Sequence, residues 1–407
     1  MKNINKENLL NLVKEFGESF YLLDSDVFIN NYNELLSSFR NYYPNTNIAY
    51  SYKTNYIPKL VSTVNTLGGL AEVVSELELE LALKVGVPYN KIVWNGPVKN
   101  VIKSKDFLIN GGTVNVDSVI ELKNICKHIN KNDIINIGLR CNYDIGDNVL
   151  SRFGIDAFSN EFDDFFSILL ENKNINLIAL HAHFANRNPK FWVERTKGMV
   201  DIYNRIRVKY NIKPKYLDLG GAMFGKLPIE IQSALHVGDI QYDEYAVKSA
   251  SIFAENFKDL EDKPWLYIEP GTAIAASCMR YVCKIESIKR INNKTIITVN
   301  GSQKNISMTG INPPISIVRI SDEYIECNNA DIAGYTCIES DYLYKDFSGK
   351  INVGDYIIFE SCGSYSVVMK PPFINPNVPI IDISGNKAEL IKRAENFSDI
   401  FSSYIFK

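Results

Sequence analysis

The sequence predicts an α/β protein, with a (β/α)8 TIM-type barrel over residues 25–278 and a C-terminal all-β domain. Short β-rich runs alternate with stretches of helical pattern, eight such runs can be counted, and beyond about residue 278 strand follows strand. Eight strands with intervening helices fit a closed barrel. A doubly wound open sheet is the main alternative for the same alternation.

The runs are 47–53 (NIAYSYK), 70–74 (LAEVV), 91–96 (KIVWNG), 114–118 (VNVDS), 134–142 (IINIGLRCN), 177–183 (LIALHAH), 215–221 (KYLDLGG) and 265–271 (WLYIEPG). Between them, 75–86 (SELELELALKVG) opens on the capping-box pattern Ser75-x-x-Glu78 and stops at Gly86 ahead of Pro88. Segment 191–210 is a second helix. After 278, the segments 279–290, 294–300, 316–327 and 355–360 read as strands, with Asn292-Asn293 and Asn300-Gly301 as turns. The run 19–24 (SFYLLD) has no helix partner before it, so residues 1–24 and 279–407 are expected to form one β-rich domain.

At 407 residues and 46% hydrophobic the chain suits two domains with sizeable cores. A net charge of −3 without blocks of one sign argues against nucleic acid or a membrane surface as partner, leaving a small molecule. No apolar run has transmembrane length, and the first residues lack a signal-peptide core. Seven scattered cysteines with no CxxC pair suggest reduced thiols in a cytoplasmic protein.

A barrel gathers function at the C-terminal ends of its strands. Lys53, Glu72, Asn95, Asp117, Arg140, His183, Gly220-Gly221 and Glu269 fall there. Taken singly each has a plain reading: a rim lysine, a strand-end salt bridge, glycines in a turn. His181 and His183 point one way from their strand, yet no carboxylate or cysteine sits near them in sequence, so no metal is expected.

The segment AYSYKTN around Lys53 resembles the YxxKxN segment of the fold-type III pyridoxal-phosphate decarboxylases, the group of ornithine, diaminopimelate and arginine decarboxylases. AEVVSELEL (71–79), SRFGI (151–155), LHAHF (180–184), LDLGG (217–221), IEPG (268–271), YTCIESD (335–341) and CGSYS (362–366) follow in that family's order, covering about 20 to 380. The resemblance implies a barrel plus a β domain and pyridoxal 5'-phosphate held as a Schiff base on Lys53. It implies that Glu269 contacts the ring nitrogen, where racemases of the same fold place an arginine. By the same resemblance His183 stacks on the ring, Gly220, Gly221, Gly271 and Tyr365 receive the phosphate, and Glu72, Glu78 and Arg140 tune the charge around it. Cys337 is then the proton donor, reaching the other subunit of a homodimer, and Asp341 positions its loop. Cys362 is expected to be structural.

Several positions depart from the family pattern. EPGR reads Glu-Pro-Gly-Thr272, the acid after the cysteine is Ile338, His183 is followed by Phe184-Ala185-Asn186, and GGG ends in Ala222. An aliphatic side chain cannot pair with a distal ammonium unless Glu339 takes over. Ile338, Glu339 and Asp341 are thus the candidate substrate contacts. The expectation is decarboxylation of an amino acid other than a standard diamino acid. The alternatives are a racemase of the same fold, a non-catalytic decarboxylase-like regulator, and a barrel enzyme unrelated to that cofactor in which Lys53 forms a Schiff base with a carbonyl substrate.

Overall fold

Strand β1 (Thr46–Ser51) is buried on both faces, and its sequence TNIAYS lacks the polar alternation of a half-exposed strand. That is the signature of a parallel strand covered by helices outside and by neighbouring side chains inside. The pattern repeats in β2 (Leu70–Val73), β3 (Ile92–Trp94) and β4 (Thr113–Val116). The set is completed by β5 (Ile135–Asn142), β6 (Ile175–His181), β7 (Tyr216–Asp218) and β8 (Trp265–Ile268). The structure is a computed structural model and describes residues 4–306 and 311–406.

Each strand pairs in parallel with the next, from Tyr50 opposite Ala71 round to Ile268 opposite Ile48. The pairing of Val114 with Ile137 joins β4 to β5 and closes the ring, which rules out the open-sheet alternative. The barrel lies in a compact unit formed by Tyr32–Gly225 and Gln241–Ala273.

The helix Glu76–Lys84 starts where expected, with the Ser75 hydroxyl accepting from the Glu78 N–H. Only half of the capping box forms, because the Glu78 carboxylate accepts from the Val74 N–H at 2.6 Å rather than from Ser75. The helix Trp192–Tyr210 matches the second expected one and buries Trp192, Arg195, Thr196 and Met199 along one stripe.

The second unit takes the chain up to Asn31, Lys226–Ile240 and the chain from Ile274 onward. Its nine-stranded sheet is mostly antiparallel. Phe20–Leu23 pairs antiparallel with Met279–Ile291 and parallel with Ile380–Asp382, so the N-terminal strand does join the β domain. Asn292 and Asn293 have φ of 46° and 65°, the left-handed pair that a tight hairpin turn requires before Lys294–Val299.

Two expectations fail here. A helix, Lys6–Phe16, capped by Asn5, does precede the first strand; it drives Leu9 into a cluster with Phe20, Leu22 and Val282. The run 316–327 is not one strand. It splits into Ile315–Val318 and Ile325–Ala333 around the polar stretch Ser321-Asp322-Glu323. Among the described residues no helix is long and apolar enough to cross a membrane.

Candidate active site

Lys53 sits in the single 3-10 turn Tyr52–Thr54 that leaves β1. Its Nζ donates to Glu72 Oε2 at 2.5 Å, and the Ser51 hydroxyl donates to the same oxygen at 2.6 Å. Glu72, on β2, is fully buried while Lys53 remains a third exposed. Asn95, just past β3, donates from Nδ2 to Glu72 Oε1 at 3.0 Å and to Glu269 Oε1 at 2.6 Å. Asn115 on β4 in turn donates to Asn95 Oδ1 at 2.7 Å, fixing which way the Asn95 amide faces. Residues from β1, β2, β3, β4 and β8 therefore meet in one hydrogen-bonded network, as strand ends of a closed ring must.

Glu269 follows β8 and is buried with His181, the last residue of β6, and Asp218, the last of β7. These three each offer a ligand atom within 4.8 Å of the others. The fold thus brings two carboxylates to a histidine that has none near it in sequence. His181 Nε2 lies 3.3 Å from Glu269 Oε1, and neither ring nitrogen has a hydrogen-bond partner among the described residues. Two buried carboxylates side by side cannot both ionise cheaply. Burial and the neighbouring Glu269 push Asp218 well above the carboxylate range. Burial also acts to raise Glu269, but His181 and Lys53 beside it outweigh burial and leave Glu269 below its ordinary value. Of the two carboxyls, Asp218 is thus the one that favours the protonated form and Glu269 the one that favours the charged form.

His183 accepts from the Gly221 N–H at its Nδ1, 3.0 Å away. Burial first, then Lys53, drives its pKa well below the usual histidine value despite Glu269. The ring is therefore neutral, with its proton on Nε2. Arg140, in β5, lies 3.6 Å from Asp117 and over the Phe153 ring at 4.5 Å. Burial lowers its pKa, opposed by Asp117, Glu269 and Glu72.

The glycines line close approaches of backbone. A Cβ on Gly221 would come within 2.3 Å of the Glu269 carbonyl oxygen, and one on Gly271 within 2.0 Å of the Thr54 hydroxyl. Gly220 has φ of 69°. No other residue type fits these loops: the Gly220 N–H donates to Asp218 Oδ1 at 2.8 Å and the Gly221 N–H to His183, and the missing side chains leave room for a phosphate. An anchoring amine, a charged buried carboxylate, a neutral imidazole and a side-chain-free cup suit a coenzyme that carries an aldehyde, a ring nitrogen and a phosphate.

The remaining expected residues lie in the other unit. Cys337, Ile338 and Glu339 are exposed on one loop. Asp341 is buried and holds that loop: it accepts from the Thr336 hydroxyl at 2.5 Å, the Gln303 N–H at 2.8 Å and the Ser302 hydroxyl at 3.0 Å. With these oxygens engaged, Asp341 is an anchor of the loop and not a free substrate contact. Tyr365 is half-buried with φ of 60°. Cys362 is buried, its thiol directed at the Phe359 carbonyl, which agrees with a structural role.

Ser51, Asn115 and Asp218 were not singled out from the sequence. Asp218 lies within LDLGG, and Asn115 alternates with Asp117 on the inward face of VNVDS, so strand parity was the available signal.

Residues 30–276 match the family described as pyridoxal-dependent decarboxylase, pyridoxal binding domain. Diaminopimelate decarboxylase of Aquifex aeolicus is 24% identical over 420 residues, 97% of this chain and 93% of that protein. The Methanocaldococcus jannaschii enzyme of the same name is 22% identical over 426 residues, with 97% and 93% covered. The crystal structure of a diaminopimelate decarboxylase from M. jannaschii superposes with a TM-score of 0.85 at 22% identity, covering 98% of this chain and 94% of that one. The Helicobacter pylori diaminopimelate decarboxylase complexed with L-lysine gives 0.83 at 21% identity, covering 97% and 98%. The family match spans the very barrel that carries Lys53, Glu72 and Glu269, and so the chain belongs to the pyridoxal-dependent decarboxylases, carboxy-lyases that act on amino acids with pyridoxal 5'-phosphate.

Proposed function

We propose that Lys53 anchors the coenzyme and that Glu269 faces its ring nitrogen while an amino acid loses its α-carboxylate. The observation that carries this is the unbroken chain Lys53–Glu72–Asn95–Glu269. When bound, the coenzyme supplies an electron sink for the pair left on Cα as CO2 departs.

The chain's own residues then divide the work. Lys53 Nζ must shed a proton to attack a carbonyl, and Glu72 Oε2 at 2.5 Å is placed to hold that proton and return it. Glu269 is held below its ordinary value by His181 and Lys53, and a buried carboxylate favours a protonated nitrogen opposite it. His183, its Nδ1 tied to the Gly221 amide, presents a fixed neutral ring against which an aromatic heterocycle can lie. Gly220, Gly221 and Gly271 leave side-chain-free room for a phosphate, with Tyr365 as a donor to it by family resemblance. Cys337 is the proposed proton donor at Sγ, acting within a homodimer.

The substrate reading best supported by the relatives is diaminopimelate, since the proteins named above carry that activity. A second reading rests on two side chains of this chain, Ile338 and Thr272, which lack the charge that family members use there; the comparisons lend it no support. Release of CO2 from meso-diaminopimelate, ornithine, lysine and arginine separates them. Rapid turnover of diaminopimelate ends the second reading, and inertness toward all four ends the first.

A further inference from the structure

The guanidinium of Arg195, on the helix Trp192–Tyr210, is fully buried. Its four contacts all go to backbone carbonyls. Nη1 donates to Gly221 at 2.7 Å and Leu219 at 3.4 Å; Nη2 donates to Phe184 at 2.9 Å and Asn186 at 3.3 Å. Those carbonyls belong to two loops, one after β6 and one after β7. Nε has no partner, and among the described residues no carboxylate pairs with the group. Its other face lies 4.4 Å from the centre of the Trp192 ring. Tyr245 ties the same loops a few residues further on, its hydroxyl accepting from the Phe224 N–H and donating to the Arg187 carbonyl.

Packing alone does not call for a cation here. A methionine would fill the space without the cost of burying a charge. Carbonyl dipoles offset part of that cost and leave a net positive charge in a wall of low dielectric. Burial draws the pKa down only to about 10, so the charge persists at neutral pH. A buried cation with no carboxylate paired to it among the described residues, behind two loops whose glycines leave side-chain-free room, suits an anion that arrives as ligand. The position after Pro270-Gly271 offers no cation, being Thr272.

We propose that Arg195 is a positioning residue for the coenzyme's phosphate, locking the 184–186 and 219–221 loops into one cup and lending it the positive charge that Thr272 does not supply. It acts through the loops and does not itself touch the phosphate. The inference rests on the reading that the Gly220-Gly221 loop receives that phosphate.

The test is the affinity of coenzyme-stripped protein for pyridoxal 5'-phosphate and for pyridoxal, which has the same ring without the phosphate. The wild type is expected to prefer the phosphorylated form by roughly 100-fold or more. Arg195→Met, close in length but without charge or donors, is expected to shrink that preference about tenfold while pyridoxal affinity stays within about threefold. Arg195→Lys keeps the charge but cannot span four carbonyls, and should fall between. Equal losses for both ligands, or an unchanged preference, overturn the inference. If Arg195→Met does not fold, Arg195→Lys decides alone on the same criterion. A wild type that shows no preference sinks instead the reading of the glycine loop, and this inference with it.

Discussion

Glu72 and Glu269 share a single donor: Asn95 Nδ2 reaches Glu72 Oε1 at 3.0 Å and Glu269 Oε1 at 2.6 Å. One neutral amide thus keeps two buried carboxylates apart and orients both, one toward Lys53 and the other toward Asp218 and the histidines. Asn115 holds that amide from behind.

Asn95→Ala should therefore disturb both ends of the network. A hydrogen bond to a charged group contributes about 1.5–3 kcal/mol. The kcat for CO2 release is expected to fall by about tenfold or more. A kcat within twofold of wild type would show that the shared amide is dispensable.

Glu269→Gln keeps the shape and removes the charge. With no carboxylate to favour a protonated ring nitrogen, kcat should drop by about 100-fold or more while the coenzyme stays bound. Retained coenzyme with undiminished turnover would contradict the role given to Glu269.

Glu78 sets a pH dependence of stability. Burial lifts its carboxyl to about 7, opposed by the Val74 N–H and Lys53 and assisted by Glu72. The ordinary value is 4.5, so between the two the native state holds a proton that the unfolded chain has released. Stability is then full below the lower value and falls as pH rises through the higher one. Glu78→Gln should match wild type near pH 4.5 and exceed it above pH 8, by at most about 3 kcal/mol. Parallel denaturation midpoints for the two proteins across that range would refute this.

Asp341→Ala strips the anchor from the loop that carries Cys337. The Ser302, Gln303 and Thr336 donors lose their acceptor, at a cost of about 2–3 kcal/mol. Urea unfolding should show that loss, and Cys337 should react faster with a thiol reagent. Unchanged thiol reactivity would separate the loop's order from Asp341.

The barrel was legible because its strands are short, apolar on both faces and regularly interrupted, so Thr46–Ser51 and its seven successors announce themselves by composition. The N-terminal helix is less legible: Leu9, Leu12, Val13 and Phe16 carry a helical period, but over a single short segment next to the β-rich run 19–24. Lys53, Glu72, Arg140, His183 and Glu269 were found from strand ends and motif order, which is how a closed ring gathers residues distant in sequence. Arg195 and Asp218 escaped for a different reason. Their partners are backbone carbonyls and a carboxylate nine or more residues away, and no spacing rule encodes those contacts. One local clue existed for Arg195: a charge inside the apolar stripe Trp192, Thr196, Met199.

The central claim is that the coenzyme is carried on Lys53 within reach of Glu269. Borohydride reduction of the coenzyme-loaded protein, followed by digestion and mass spectrometry, tests it directly. The account predicts one stable pyridoxyl adduct, on the peptide containing Lys53, lost in Lys53→Ala. An adduct on another lysine, or none in a protein that still releases CO2, would contradict it.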